Sequence, residues 1–399
     1  MSDLNKAKLI KLVHHLDNKQ NRIVGGVFLF VLISVSLIIV LTANWSLNIM
    51  RPDGSFMTFH KKAYKYLLTA EGSTSMVPLE RLFWQAGHQT VDQIAISYKD
   101  DLNLTYKWQE IAHDSFVNKT GHICIAGACM PASAISVNNK AEPDRMQFPV
   151  TDLAPTIAAA LGAKAPADAI GTPFIQTNTI LVTAILLDGF GYQIMKDASA
   201  NDLTPNLDRL EDPLIATSVY PPGTRVAMSA FLTGTNPEIN GVTTSQMRNL
   251  AVQDLCASLK ASGKTSLIIE AESVPINLPD CEIQLSSDRD GNGLTDDNVL
   301  NNAIDALNQS ELRDFIFIHF HGIDDAGHTY GIGSQEHNLA IKRLDFAVGQ
   351  IISMVPKGSL VLIFADHGMH PDPLSPSYGT HGNLFPDDML IPVFIDQIQ

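Results

Sequence analysis

The chain has 399 residues, 45% hydrophobic and 17% charged, which suits a substantial folded core and argues against a disordered chain. Its formal net charge of −15 weighs against a nucleic-acid binder, which needs a basic stripe to meet phosphates. An anionic substrate would need local positive charge, such as bound metal cations, to overcome that field.

Residues 1–23 read as a short polar tail. The stretch "VGGVFLFVLISVSLIIVLTA", Val24 to Ala43, holds twenty residues without a charge. At about 1.5 Å per residue a helix of that length crosses the roughly 30 Å hydrocarbon core. A cleaved signal peptide is the alternative, but the apolar run is long and no clear A-x-A site follows, so a transmembrane anchor is expected. Lys6, Lys8, Lys11, Lys19 and Arg22 precede the run and only Arg51 follows closely. That asymmetry predicts a cytoplasmic N-terminus, with the residues after 44 extracytoplasmic, periplasmic or extracellular.

From 45 to 140, short alternating segments ("DQIAISYK", "LTYKWQEI", "GHICIAG") between polar turns predict a small β-rich module. Cys124 and Cys129 could pair locally, as could Cys256 and Cys281; four free thiols fit equally well.

After about 176 the texture changes. "TILVTAILLDGF", "RDFIFIHFHG" and "GSLVLIFADHG" are continuous apolar runs, each with polar residues at its C-terminal end. Such runs suit strands buried on both faces of a parallel sheet. "NLAIKRLDFAVGQIISMV" has helical apolar spacing. Strands alternating with helices predict a doubly wound α/β domain that binds ligands beyond the carboxyl ends of its strands. Asp188, Asp324, Asp366 and His367 fall at such ends.

Two-metal hydrolytic sites gather His nitrogen and Asp oxygen from several strand ends. The candidates are Asp188, Asp324, His328, Asp366, His367 and His381. Thr224 follows a Pro-Pro-Gly turn and precedes an apolar helical run, so its hydroxyl is either a nucleophile at a helix N-terminus or an ordinary N-cap. His319 and His321, two apart in a strand, are expected to support or pack rather than ligate. Asp325, His370 and Asp372 are expected in solvated turns and loops.

"DGFGY", "TPNLDRL", "YPPGT…FLTGTNPEINGV", "GIDDAGHTYG", "ADHGM" and "THGN…MLIPVFI" occur in that order from about 180 to 395. This series resembles the alkaline phosphatase superfamily, in particular its nucleotide pyrophosphatase/phosphodiesterase branch. The resemblance implies an alkaline phosphatase-like catalytic domain over 145–399 and two divalent metals. One would be held by Asp188, Thr224, Asp366 and His367, the other by Asp324, His328 and His381. The ligand types favour zinc, with manganese or iron compatible. Thr224 would become phosphorylated during hydrolysis of a phosphoric ester, such as a phosphorylated small molecule or a lipid headgroup. The branch usually places an Asn to hold a phosphate oxygen where this sequence has Ser245; Arg225 could clamp phosphate instead. Phosphomonoesterase, phosphonate hydrolase and phosphotransferase activities stay open within the resemblance, as does a catalytically silent binding ectodomain.

"TDLAPTIAAALGAKAPADAIGTPF", Thr151 to Phe174, resembles a segment that usually follows the "IPVFI" strand in this superfamily, yet here it precedes Asp188. A circular permutation carrying residues 145–175 is expected; an unrelated Ala-rich helix capped by Asp152 is the alternative. "DRDGNGLTDDN", from Asp288, has calcium-loop spacing, but Val299 stands where the bidentate Glu belongs, so a polar turn is expected.

Overall fold

Every side chain from Val182 to Leu187 is buried, and the same holds for Phe315–Phe320 and Leu360–Phe364. A segment with no polar face must be covered on both sides, and in this computed structural model the three runs lie side by side as parallel strands at the centre of a sheet. The structure describes residues 45–70, 76–99, 101–138, 147–289, 291–372, 374–375 and 378–399. The anchor expected over 24–43 lies outside them; among the described residues no helix is long and apolar enough to cross a membrane. Residues Ser46–Gln399 form one compact unit.

The central sheet has eight strands, ordered Glu282–Leu285, Ser266–Glu270, Phe315–Phe320, Val182–Leu187, Leu360–Phe364, Leu390–Gln397, Leu214–Thr217 and Gln147–Pro149. Leu390–Gln397 runs antiparallel to both neighbours, whereas the remaining pairs are parallel. The parallel centre aligns the carboxyl ends of three strands, which brings polar residues distant in sequence to one rim. Phe231, on the Thr224–Thr233 helix, packs its ring 5.1 Å from that of Phe317 and 5.2 Å from that of Phe364. Burying such a side chain contributes about 1.5–3 kcal/mol, and here it seats the helix that begins with Thr224 on the sheet.

The Gln147–Pro149 strand joins the sheet edge in parallel with Leu214–Thr217, and the following Leu153–Ala160 helix is buried in the same core as Val393 and Phe394. Asp152 does not cap that helix. Its carboxylate pairs with buried Arg51 and accepts the Thr172 N–H at 3.0 Å. Burial pushes Asp152 up to about 6, against the pull of the Arg51 charge.

Residues 46–138 carry a second, eight-stranded sheet in which Ala128–Asn138 pairs with Ser46–Met50, Gln93–Tyr98 and His122–Ile125. Two helices, Lys61–Ala70 and Leu79–Gln85, interrupt the alternation that the sequence pattern emphasised. This region touches the segment leading to Thr224: Tyr66 donates its hydroxyl to the Tyr220 carbonyl at 2.6 Å, four residues before Thr224, and the Thr217 hydroxyl donates to the Trp84 carbonyl at 3.0 Å. The cysteines form two disulfides, Cys124–Cys129 and Cys256–Cys281.

Candidate active site

Asp188 leaves the end of its strand into a turn at Gly189, whose φ of +72° is the left-handed region that favours glycine. A Cβ there would stand 3.0 Å from the Asp324 side chain, so this turn also lets the Asp324 helix close on the strand end. Beyond the end of the adjacent strand, Gly368 follows Asp366 and His367, and its backbone lies so close to the Asp387 carbonyl that a Cβ would stand 2.0 Å from it. Asp366 Oδ1 accepts the N–H groups of Gly189 at 3.2 Å and of His367 at 2.8 Å, which ties the two turns together.

Asp324 and His328 lie one turn apart on the Gly322–Tyr330 helix, with His328 Nε2 3.3 Å from Asp324 Oδ2. His381 enters from a late loop, and its Nε2 lies 3.8 Å from Asp324 Oδ1. Thr224 is the first residue of its helix; Gly223 occupies the cap position, so the N-cap reading of the hydroxyl does not hold. Its Oγ1 is instead 3.4 Å from His367 Nε2. That nitrogen is also 3.4 Å from Asp188 Oδ1 and 3.3 Å from Asp366 Oδ2. The rings of His367 and His381 stack at 3.8 Å, joining the two halves of the cluster.

The three histidines share one arrangement. His328 Nδ1 meets the Gly379 carbonyl at 2.9 Å, His381 Nδ1 the Pro222 carbonyl at 2.9 Å, and His367 Nδ1 the Gly368 carbonyl at 3.1 Å. A carbonyl only accepts, so each Nδ1 carries a proton and donates, and each Nε2 faces the cluster as a donor atom for a metal. The carboxylates complement them: Asp188 Oδ1, Asp324 Oδ1 and Asp366 Oδ2 are buried without a hydrogen-bond partner. A buried unpaired carboxylate oxygen is costly unless a cation meets it. Five of the residues form two metal-compatible sets that share His367, Asp188–Asp366–His367 and Asp324–His367–His381, with all ligand atoms of each set within 4.8 Å of one another.

Without a cation the carboxylates divide. Burial favours the neutral acid in Asp188, but hydrogen bonds from His319 and His321 outweigh it and hold Asp188 well below its usual range. Burial, reinforced by the Asp188 charge, drives Asp366 well above that range. His328 is raised to about 9, first by its hydrogen bond to Asp324. His381 is lowered by burial and by the neighbouring His367.

All seven residues expected at the metals, Asp188, Thr224, Asp324, His328, Asp366, His367 and His381, therefore face one cluster. Arg225 turns its guanidinium to the Ser245 carbonyl, so Ser245 offers Arg225 its backbone rather than its hydroxyl. His370, expected in a loop, is buried and bonded through Nδ1 to Asp388 at 2.6 Å, and Asp388 also accepts the Asn383 N–H at 2.9 Å, anchoring the loop that carries His381. Glu270, not among the residues expected at the site, is wholly buried and reaches both His319 and His321. It ends a strand next to Phe315–Phe320; an acidic residue closing an apolar run was the available signal. The loop at Asp288 is a turn, its carboxylate accepting the Gly291 and Gly293 N–H groups at 2.8 and 2.9 Å; Asp290 lies outside the described residues.

A family model described as type I phosphodiesterase / nucleotide pyrophosphatase matches residues 182–263 and 264–390. No curated protein matches the chain. Among solved structures the chain is similar to phosphonoacetate hydrolase from Sinorhizobium meliloti 1021, at 15% identity over 48% of this chain and 57% of that one, TM-score 0.39. It is similar to murine ectonucleotide pyrophosphatase / phosphodiesterase 5, at 17% identity over 48% and 57%, TM-score 0.38. It is also similar to the C-terminal periplasmic domain of EcEptC from Escherichia coli, at 16% identity over 55% and 73%, TM-score 0.42. The chain thus spans 57% of the length of the first two.

Proposed function

The chain belongs to the type I phosphodiesterase / nucleotide pyrophosphatase family, within the alkaline phosphatase superfamily, and from that premise we propose that it is a two-metal phosphodiesterase acting through Thr224. The observation that carries the reading is the set of three buried carboxylate oxygens without a donor, facing three inward imidazole nitrogens and one hydroxyl. The residues fit divalent cations: Asp188, Thr224, Asp366 and His367 would hold one, and Asp324, His328 and His381 the other. Nitrogen and carboxylate donors of this kind suit zinc. Bound there, the cations would lower the pKa of the Thr224 hydroxyl and neutralise charge on the phosphoryl oxygens.

The remaining work falls to the chain. The helix beginning at Thr224 directs its positive end at the attacking oxygen and favours its deprotonated form. Thr224 Oγ forms a bond to phosphorus as the bond to the leaving oxygen breaks in line, which gives a phosphothreonine. Water then attacks phosphorus and returns Thr224 with release of the phosphorylated product. Backbone N–H groups at the helix start, with Arg225 if it leaves the Ser245 carbonyl, can hold the equatorial oxygens. The substrate class is a phosphoric ester carried by a small molecule or a lipid headgroup.

The location follows from the sequence: an anchor over 24–43, an N-terminus in the cytoplasm and the catalytic domain outside it. Two disulfides support that placement, since such bonds persist in oxidising compartments.

The test is metal analysis of purified protein together with turnover of a nitrophenyl phosphodiester and monoester. Metal-dependent turnover that favours the diester is expected. Preference for the monoester would move the assignment to phosphomonoesterase, and protein with metal bound that cleaves neither would contradict the hydrolase reading.

A further inference from the structure

The 46–138 region takes no part in the proposed mechanism, yet it grips the chain just ahead of the nucleophile. Between the end of the Leu214–Thr217 strand and Thr224, the catalytic core holds one side. The Ser218 N–H donates to the Met389 carbonyl at 2.8 Å, the Ser218 hydroxyl to the Asp366 carbonyl at 2.5 Å, and His381 Nδ1 to the Pro222 carbonyl at 2.9 Å. The 46–138 region holds the other side. The Thr217 hydroxyl donates to the Trp84 carbonyl at 3.0 Å, and the Tyr66 hydroxyl to the Tyr220 carbonyl at 2.6 Å. The Arg81 guanidinium lies over the Tyr220 ring, 5.1 Å from its centroid.

We propose that the 46–138 region is a working part of the active site, in which Tyr66 is the positioning residue for Thr224. This rests on Thr224 being the nucleophile and adds what sets the place of its hydroxyl. Pro221 and Pro222 carry no N–H, so the stretch has few backbone bonds of its own with which to hold its shape. Side chains do so instead: Tyr66 takes the Tyr220 carbonyl, and His381 takes that of Pro222. The prolines also fix φ, so a shift at Tyr220 passes along a short, stiff run to Thr224. Its Oγ1, 3.4 Å from His367 Nε2, would leave the cluster with it.

The hold is built to last. Burial, with Glu238 and Tyr220 close by, raises the Tyr66 hydroxyl above the ordinary phenol value, so it keeps its proton to donate. The region that carries Tyr66 is itself fixed to the core. Arg51 pairs with buried Asp152, and Asn236 Nδ2, just past the far end of the Thr224–Thr233 helix, donates to Met57 Sδ at 3.8 Å. The nucleophile helix is thus braced before its first residue and after its last.

The test is Tyr66→Phe, which removes one oxygen and keeps the ring. Assayed on a nitrophenyl phosphodiester well below its unfolding temperature, it is expected to lose about tenfold to a hundredfold in kcat, the scale of an attacking group misplaced by up to about 1 Å. KM is expected to stay within about twofold and metal content to match wild type, because substrate and metals are bound mainly by other groups. Thr217→Val removes the hydrogen bond to Trp84 at the strand end, farther from Thr224, and should lower stability without that loss in kcat. An equal fall in kcat in both variants would mean loosened docking and overturn the role of Tyr66. A Tyr66→Phe enzyme with wild-type kcat would overturn it too, with the hydrolase reading intact. If wild type cleaves no phosphodiester, the hydrolase reading fails by itself, and crystal structures of wild type and Tyr66→Phe decide the positioning claim. A Thr224 Oγ1 farther from His367 Nε2 in the variant sustains it; an unmoved Tyr220–Thr224 segment overturns it.

Discussion

His328 Nε2 lies 3.3 Å from Asp324 Oδ2, one turn along the same helix, and their hydrogen bond raises His328 to about 9 in the metal-free protein. At pH 7.5 that imidazole therefore holds a proton that a metal must displace. Metal uptake is expected to release protons and to strengthen about tenfold per pH unit from near 6.5 up to about 9. In the metal-free protein the pair stabilises the fold fully below the ordinary imidazole pKa and loses that contribution as pH rises through about 9. Calorimetry in buffers of different ionisation enthalpy measures the release, and His328→Gln should lower it by about one proton per chain. Proton release unchanged by that substitution would count against the assignment.

Arg51 and Asp152 form an ion pair buried at 2% exposure on each side, tying the 46–138 region to the catalytic core. Removing one partner leaves the other charge buried, so Arg51→Met is expected to cost about 3–5 kcal/mol in urea unfolding. Asp152 is already raised to about 6, and a raised acid loses stability as pH climbs above its unfolded value. The deficit of the variant should thus shrink as the solution is acidified and Asp152 becomes neutral. A deficit constant from pH 8 to pH 5 would show that the charge is not its cause.

A Cβ at Gly368 would stand 2.0 Å from the Asp387 carbonyl oxygen and 2.9 Å from Gly191 Cα, both backbone atoms with little room to retreat. Gly368→Ala is expected to cost about 1–3 kcal/mol by forcing the turn outward. Because Asp366 and His367 precede it directly, turnover should drop further than stability does. A variant with full turnover would mean that the turn can yield without moving those side chains.

Much of this site is legible in the sequence. Asp188, Asp366 and His367 could be placed because each follows a continuous apolar run that suits a strand buried on both faces, and parallel pairing brings such ends together. Asp324 and His328 came from the resemblance's motif, and Asp324, expected at a strand end, lies instead with His328 on the Gly322–Tyr330 helix. The partners that hold these side chains were harder to see. Glu270 and Asp388 reach His319 and His370 across 49 and 18 residues of sequence, and a single buried acid carries no periodic signature. His319 and His321 were expected to support or pack, and they do bond to Asp188, though the face they share became clear only with Glu270 in place. The two longer helices of the 46–138 region, Lys61–Ala70 and Leu79–Gln85, were missed because neighbouring strand-like alternation dominated the pattern. Arg225 pointed to phosphate on charge alone, whereas its contact is the Ser245 carbonyl, a backbone acceptor that sequence does not advertise.

The central claim is that the Thr224 hydroxyl attacks phosphorus from within the metal cluster. Its most direct measurement is the phosphodiester kcat of Thr224→Ala beside wild type, with metal content determined on the same samples. The account predicts a loss of roughly a thousandfold or more with folding retained and metal still bound, the scale expected when a nucleophile is removed. A metal-loaded Thr224→Ala enzyme that turns over at the wild-type rate would contradict it.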